Sequence, residues 1–227
     1  MSEAPRQLPL DLPHAPSFAA QDYLPAASNR DAQRAVQAWP RWAANALLLL
    51  GPAGSGKSHL AAIWARAAQA HRIDAAALGA ARVGALAKAR AILVEDADRV
   101  GANETALFHL LNIAREAGAS VLLTARNAPD LWAIKTPDLL SRLRQAPTAA
   151  LGAPDDELIR AVLFKLFGDR QLSVEPAVVA YVAKHMERSL GAARAIVAKL
   201  DEEAMARGRG VTRAMAAELL RWAPEEG

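Results

Sequence analysis

Apolar positions along this chain follow two rhythms. One is the short unbroken run, seen at Ala46-Leu47-Leu48-Leu49-Leu50, Ala91-Ile92-Leu93-Val94 and Val121-Leu122-Leu123. A run this short, without polar alternation and with turn-forming or polar residues after it, reads as a strand buried on both faces. Weaker strand signals lie at 74–79, a stretch of small residues, and at 147–151. The other rhythm is helical. Leu107, Leu110, Leu111 and Ala114 fall on one face of a helix predicted over 103–117, which Gly118 stops. Helices are also predicted over 57–70 and 83–89. Another runs from Asn29 or Asp31, as its cap, to about Trp39 and is ended by Pro40. Trp39 and Trp42 read as packing residues. Asp98 and Arg99 read as surface residues. After the strand at 120–124 come an exit loop with Arg126, Asn127 and Pro129, a short helix, and the segment from Thr136 to Arg144.

The strongest boundary is Gly152-Ala153-Pro154. Beyond it the pattern is helical throughout, over 155–169, 175–186, 189–206 and 212–222. Four amphipathic helices suit a small bundle. The predicted organisation is therefore a tail at 1–17, an α/β domain with a parallel sheet at 18–152, and an all-helical lid at 153–227. In the tail, Pro9, Pro13 and Pro16 oppose a helix. Yet Leu8, Leu10 and Leu12 alternate there, which a solvated tail does not need. Two readings follow: a strand docked on its own domain, or a linear motif that inserts leucines into a partner's pocket.

Composition narrows the classes. The 227 residues are 52% hydrophobic, enough for a substantial core. Aromatics are 5%, so base stacking is not a theme, and there is no cysteine, which excludes disulfides and thiolate metal sites. The net charge of +3 is scattered. It gives at most a modest basic face for DNA. The start lacks the pattern of a signal peptide, and no apolar run is long enough to span a bilayer. A cytoplasmic protein without a membrane partner is the expectation.

The chemistry concentrates at Gly51-Pro52-Ala53-Gly54-Ser55-Gly56-Lys57-Ser58, between a strand and a helix. This is G-x-x-x-x-G-K-[ST] in its proper context. Glycines let the backbone curl around a diphosphate with its N–H groups inward, and the following helix adds its positive end. Lys57 reaches the β/γ-phosphates, and the Ser58 hydroxyl serves Mg²⁺. The second station is Glu95-Asp96, at the end of an apolar strand. Acids there can hold Mg²⁺ through water and polarise an attacking water.

P-loop, acid pair, polar-ended strand, arginine-bearing helix and helical lid together resemble the AAA+ ATPases. Gly56-Lys57-Ser58-His59-Leu60 and Ser141-Arg142-Leu143 look like the DnaA initiator group. The stretch Gln7-Leu8-Pro9-Leu10-Asp11-Leu12 looks like the hexapeptide that docks on the bacterial sliding clamp. A clamp motif before a DnaA-like module resembles the Hda group of this family, which inactivates DnaA after initiation. With Gly227 as the last residue, no helix-turn-helix DNA-reading domain is expected after the lid.

The resemblance implies roles. Gly51, Gly54, Ser55, Gly56, Lys57, Ser58 and His59 would bind ADP or ATP, joined by Arg194 of Gly191-Ala192-Ala193-Arg194 as the sensor 2 arginine. Ser58 and Glu95 would attend Mg²⁺, and Asp96 would be the catalytic acid. Thr124 is the sensor 1 candidate, with Arg126 as an alternative. Arg142 would be the arginine finger acting in trans, with Arg144 its rival. Gln7, Leu8, Leu10 and Leu12 would contact the clamp. The Glu-Asp order departs from Asp-Asp or Asp-Glu and predicts at most weak hydrolysis by this chain itself. The implied partners are DnaA, the β sliding clamp of DNA polymerase III, DNA mainly through that clamp, and a possible second copy of the chain. A second reading stays open: an autonomous ATPase that loads or remodels a helicase, of the DnaC type. It has no need of a clamp hexapeptide.

Overall fold

The computed structural model describes residues 19–221. Five parallel strands form one sheet in the order β2-β3-β4-β1-β5. They are β1 (Ala46–Leu50), β2 (His71–Asp74), β3 (Ala91–Glu95), β4 (Ser120–Ala125) and β5 (Thr148–Ala150). In the central strands the apolar runs serve both faces. Leu48, Ile92, Val94, Val121 and Leu123 enter the core on one face, with α4 (Glu104–Glu116) and α5 (Pro137–Gln145). Leu47, Leu49, Leu93 and Leu122 enter the core on the other, with α1 (Arg30–Gln37) and α2 (Lys57–Ala67). Register puts Leu48 beside Leu123 of β4 and Thr148 of β5.

The tryptophans are packing residues, as the sequence suggests. Trp42 stacks on Trp64 of α2 with centroids 5.1 Å apart, and Trp39 meets Trp64 edge-on at 6.4 Å. Trp39 Nε1 donates to Ser120 Oγ at 2.9 Å.

Three expectations shift. The second strand is His71–Asp74, ahead of the small-residue stretch predicted over 74–79. An edge strand needs few buried positions: Ile73 alone is buried here, paired with Val94. The alanines after it turn instead, because the Asp74 carboxylate accepts from Ala76 N at 2.8 Å and fixes a 3₁₀ turn at Ala75–Ala77. Helix α3 is Ala80–Leu86, earlier than expected over 83–89. Asn29 precedes α1, but its side chain does not cap the helix. It accepts from Ala26 N at 2.8 Å and donates to Leu24 O at 2.9 Å, which folds the lead-in segment back on itself.

Helices α6 (Asp156–Asp169), α7 (Pro176–His185), α8 (Leu190–Arg207) and α9 (Arg213–Arg221) surround a third apolar cluster of their own. Its centre is Ile159, Leu163, Val179, Val182, Val197 and Leu200. Asp155 and Ser189 cap α6 and α8, accepting from Leu158 N and Ala192 N. No described helix is long and apolar enough to cross a membrane.

Leu48 is fully buried at the centre of β1. Leu48→Ala should lower unfolding free energy by about 2–5 kcal/mol. Urea denaturation monitored by tryptophan fluorescence checks this; a loss below ~1 kcal/mol would mean that the sheet centre relaxes into the cavity.

Candidate functional site

The loop 51–56 leaves the C-terminal end of β1, the edge where open parallel sheets bind ligands. Gly54 and Gly56 take left-handed φ of 70° and 96°, and Gly56 opens directly into α2. Lys57, the first residue of α2, is buried; its ammonium donates to Gly51 O at 2.5 Å and to Pro52 O at 2.9 Å. Burial pulls the Lys57 ammonium below its ordinary range, and Arg126 adds to this, while Asp96 and Asp98 oppose it. Ser55 is buried with a hydroxyl that has no hydrogen-bond partner, and Ser58 is exposed. An unmet hydroxyl, a lysine folded over a glycine loop and a helix N-terminus together fit a phosphate chain.

Sequence neighbours part company at the acid station. Glu95 is engaged by Arg72 of β2, whose Nη2 donates to its two oxygens at 3.2 and 3.0 Å. Asp96 takes φ 49° and turns the chain out of β3. Its backbone N–H donates to Thr124 Oγ1 at 3.1 Å, and its carboxylate lies 3.6 Å from Arg99. Thr124 is thus buried beside the acid station at the end of the neighbouring strand. Asp98, read as a surface residue, is half-buried; its Oδ1 is sealed without a hydrogen-bond partner. Among the described residues no three His, Cys, Asp or Glu side chains form a metal cage. Mg²⁺ keeps its waters and takes one or two protein ligands beside substrate phosphates. Ser58 and the acids at 95–96 are the residues that would attend it.

A cleft of about 670 Å³ opens between the lead-in Gln21–Leu24, Gly56 and His59, and helices α6 and α8. Its size is that of a small-molecule site. Arg194 of α8 lines it, and burial lowers the guanidinium's ordinary pKa. His59 is buried, with a ring nitrogen 3.1 Å from Ala19 O, and Tyr23 meets it edge-on at 5.4 Å. Burial also lowers the His59 pKa, which keeps the imidazole neutral at pH 7. Lys165 of α6 ties the lead-in to the helices: its ammonium is 2.9 Å from Asp22 and 2.6 Å from Asp169. The cleft wall formed by Asp22, Tyr23 and Lys165 was not foreseen, since no motif marks it.

The helix bundle meets the P-loop through the start of α8. Leu190 N donates to Gly54 O at 2.9 Å, and a Cβ on Gly54 would come 2.3 Å from Ser189 Cβ.

Arg142 lies elsewhere. It lines a cavity with Ala46 and Val121, at the starts of β1 and β4. The strand β1 separates that edge from the P-loop by about 16 Å. Arg142 Nη1 is sealed without a hydrogen-bond partner. Arg144 points away and donates through Nε to Asp130 Oδ1 at 2.9 Å. The P-loop, acids, Thr124, His59 and Arg194 therefore share the C-terminal edge of the sheet and the cleft beside it, and Arg142 is apart from them. Gln7, Leu8, Leu10 and Leu12 lie outside the described residues.

No family model and no curated protein sequence matches the chain. Solved structures do. Domain III of the replication initiation protein DnaA from Thermotoga maritima aligns with TM-score 0.80 at 20% identity, over 92% of this chain and 98% of that one. AMPPCP-bound DnaA from Aquifex aeolicus aligns with TM-score 0.71 at 14% identity, over 86% of this chain and 70% of that one. The Thermotoga maritima RuvB Holliday junction branch migration motor aligns with TM-score 0.63 at 18% identity, over 77% and 60%. Five parallel strands, a P-loop after the first and helices following the sheet are the AAA+ P-loop NTPase fold of DnaA and RuvB, and this chain has that fold.

Proposed function

We propose that this chain is a nucleotide-binding, DnaA-related AAA+ regulator of chromosome replication. It binds the sliding clamp through residues 7–12 and promotes hydrolysis of DnaA-bound ATP through Arg142. The observation that carries this reading is the position of Arg142, a strand's length from its own P-loop and without an ion pair among the described residues. A guanidinium there serves a neighbour's nucleotide rather than its own.

Each residue contributes by position. Lys57 and the N–H groups of the P-loop hold the phosphates of ADP or ATP. Ser58 and Glu95 would attend Mg²⁺, which would offset phosphate charge when bound. Arg194 joins the helical lid at 153–227 to the nucleotide across the cleft. Asp96, with Thr124 on its backbone N–H, orients water at the γ-phosphate end. Glu95 would serve Mg²⁺ by exchanging Arg72 for it, and with the Glu-Asp order this makes own hydrolysis weak. Arg142 forks onto γ-phosphate oxygens of the neighbour as charge develops, a contribution of roughly 10³–10⁵ in rate for arginine fingers. DNA meets the chain mainly through the clamp, in the cytoplasm. The second reading, an autonomous loader of the DnaC type, is favoured by one observation: Asp96 and Asp98 both lie within electrostatic reach of Lys57.

Saturating nucleotide should raise the melting temperature. At ~100 times its dissociation constant it adds about 2.7 kcal/mol to folded-state stability. Lys57→Ala should lose that shift. Gly54→Ala should lose most of it too, because the added Cβ meets Ser189 and strains a φ of 70°. A full shift in Gly54→Ala would show that the lid does not need the P-loop contact to close on nucleotide.

In a reconstituted assay with DNA-loaded clamp, Arg142→Ala should lose stimulation of DnaA-bound ATP hydrolysis by orders of magnitude, and Arg142→Lys should recover little. Arg144→Ala should be mild, its partner Asp130 being exposed. Normal stimulation by Arg142→Ala refutes the trans finger. If Arg142→Ala is inert only toward this protein's own ATP, the loader reading takes its place.

Replacing Gln7, Leu10 and Leu12 together by alanine should abolish clamp binding in surface plasmon resonance and leave the melting temperature nearly unchanged. A large fall in melting temperature with clamp binding retained would instead identify a strand docked on its own domain.

A further inference from the structure

At the edge of the sheet away from the P-loop, α4, α5 and the starts of β1 and β4 enclose a cavity of about 210 Å³. Its wall is apolar, built by the buried side chains of Leu111, Val121, Leu123 and Leu143. Two arginines, Arg115 and Arg142, also line it, and among the described residues no Asp or Glu does. Neither guanidinium has an ion pair among the described residues, and Arg142 Nη1 is sealed from solvent without a hydrogen-bond partner. A buried donor on a charged group is costly to leave unmet. At the rim, Ala44 and Asn45 both take left-handed φ, 57° and 54°, a strained pair of the kind that gathers at ligand clamps.

We propose that this cavity binds a small ring-bearing carboxylate, its acid group on Arg142 and its ring against the leucines and Val121. An apolar cavity of about 150 Å³ accepts benzene, so this one has room for a single ring and an acid group. The planar fork of a guanidinium matches a carboxylate in bidentate geometry. A free phosphate would leave the apolar wall bare, and a neutral ring would leave Nη1 unmet. The consequence for activity rests on the function proposed above: an occupant holds the Arg142 guanidinium inside the cavity and away from a neighbour's nucleotide, which makes the cavity a brake on the finger.

Benzoate is the probe, titrated into the full chain by calorimetry, with benzyl alcohol and inorganic phosphate as comparisons. Benzoate should bind at least ~10-fold more tightly than either, the increment of a charge-assisted hydrogen bond. Arg142→Met should weaken it by a similar factor. Ala114→Leu, which extends a buried cavity-lining residue into the space, should remove binding with an unchanged circular dichroism spectrum. Methyl shifts in the unmutated protein keep the test independent of either variant: benzoate should perturb Leu111, Val121, Leu123 and Leu143. Shifts confined to other methyls, phosphate binding equal to benzoate, or full affinity in Arg142→Met would each overturn the site. The brake is read separately, as stimulation of DnaA-bound ATP hydrolysis with and without saturating benzoate. Inhibition in the unmutated protein and none in Ala114→Leu supports it. Benzoate that binds at the site and leaves stimulation intact overturns the brake alone. No stimulation before benzoate is added refutes the trans finger and leaves the cavity standing on its binding data.

Discussion

The closest approach between the P-loop and the helical bundle is made at Gly54. Gly54 lies against Ser189, and its carbonyl accepts from Leu190 N at 2.9 Å. Three demands converge there. The P-loop needs a left-handed residue at 54 to turn its N–H groups inward. Helix α8 needs a cap, and Ser189 supplies it through Ala192 N at 3.0 Å. The two backbones must approach closer than any Cβ allows. A glycine of the predicted phosphate loop is therefore also a point of close contact with the helical bundle. Movement of the loop around a phosphate would reach α8 without an intervening side chain, and α8 carries Arg194 into the same cleft.

The charges at the sheet edge are arranged in advance. Lys57 is not left bare in its buried position; two loop carbonyls hold it. In the proposed nucleotide complex, phosphate oxygens would replace those carbonyls, and the lysine would exchange partners instead of being stripped of water. Glu95 is held in the opposite sense. Arg72 donates to both of its oxygens and offsets its charge at the sheet edge. Asp96 and Asp98 remain close enough to support the lysine's charge.

What the sequence made legible was what depends on local pattern. The run at 46–50 followed by a glycine loop required a buried strand, a tight loop and a helix in that order, and they are there. The four helices after Gly152 could be read from periodicity alone. The misplaced strand, Asp74–Gly79 for His71–Asp74, fails for a physical reason: an edge strand buries one side chain, too little for a pattern to register. Asp98 failed differently. Nothing in Glu95-Asp96-Ala97-Asp98 says which acids a 3₁₀ turn will fold inward, and the Arg72 that claims Glu95 belongs to another strand. The lead-in carries no local signal either, because Asp22 pairs with Lys165, far along the chain on α6.

The pair Arg142 and Arg144 shows how a helix divides two similar residues. Two positions apart, they project about 200° apart around α5. Arg144 falls on the outer face and finds Asp130, an exposed pair of the kind worth about 0–1 kcal/mol. Arg142 falls on the inner face, at the rim of a cavity lined without acids. A sealed donor there costs about 1–3 kcal/mol while it is unmet. A lysine would shed such a cost by losing its proton, but a guanidinium does not deprotonate in proteins, and its charge must be answered by a partner. Stability alone would be better served by a leucine against Leu111 and Leu143. The arginine is therefore best understood through something outside the fold that meets it, whether a phosphate on a neighbouring molecule or an acid in the cavity. The two compete for the same guanidinium.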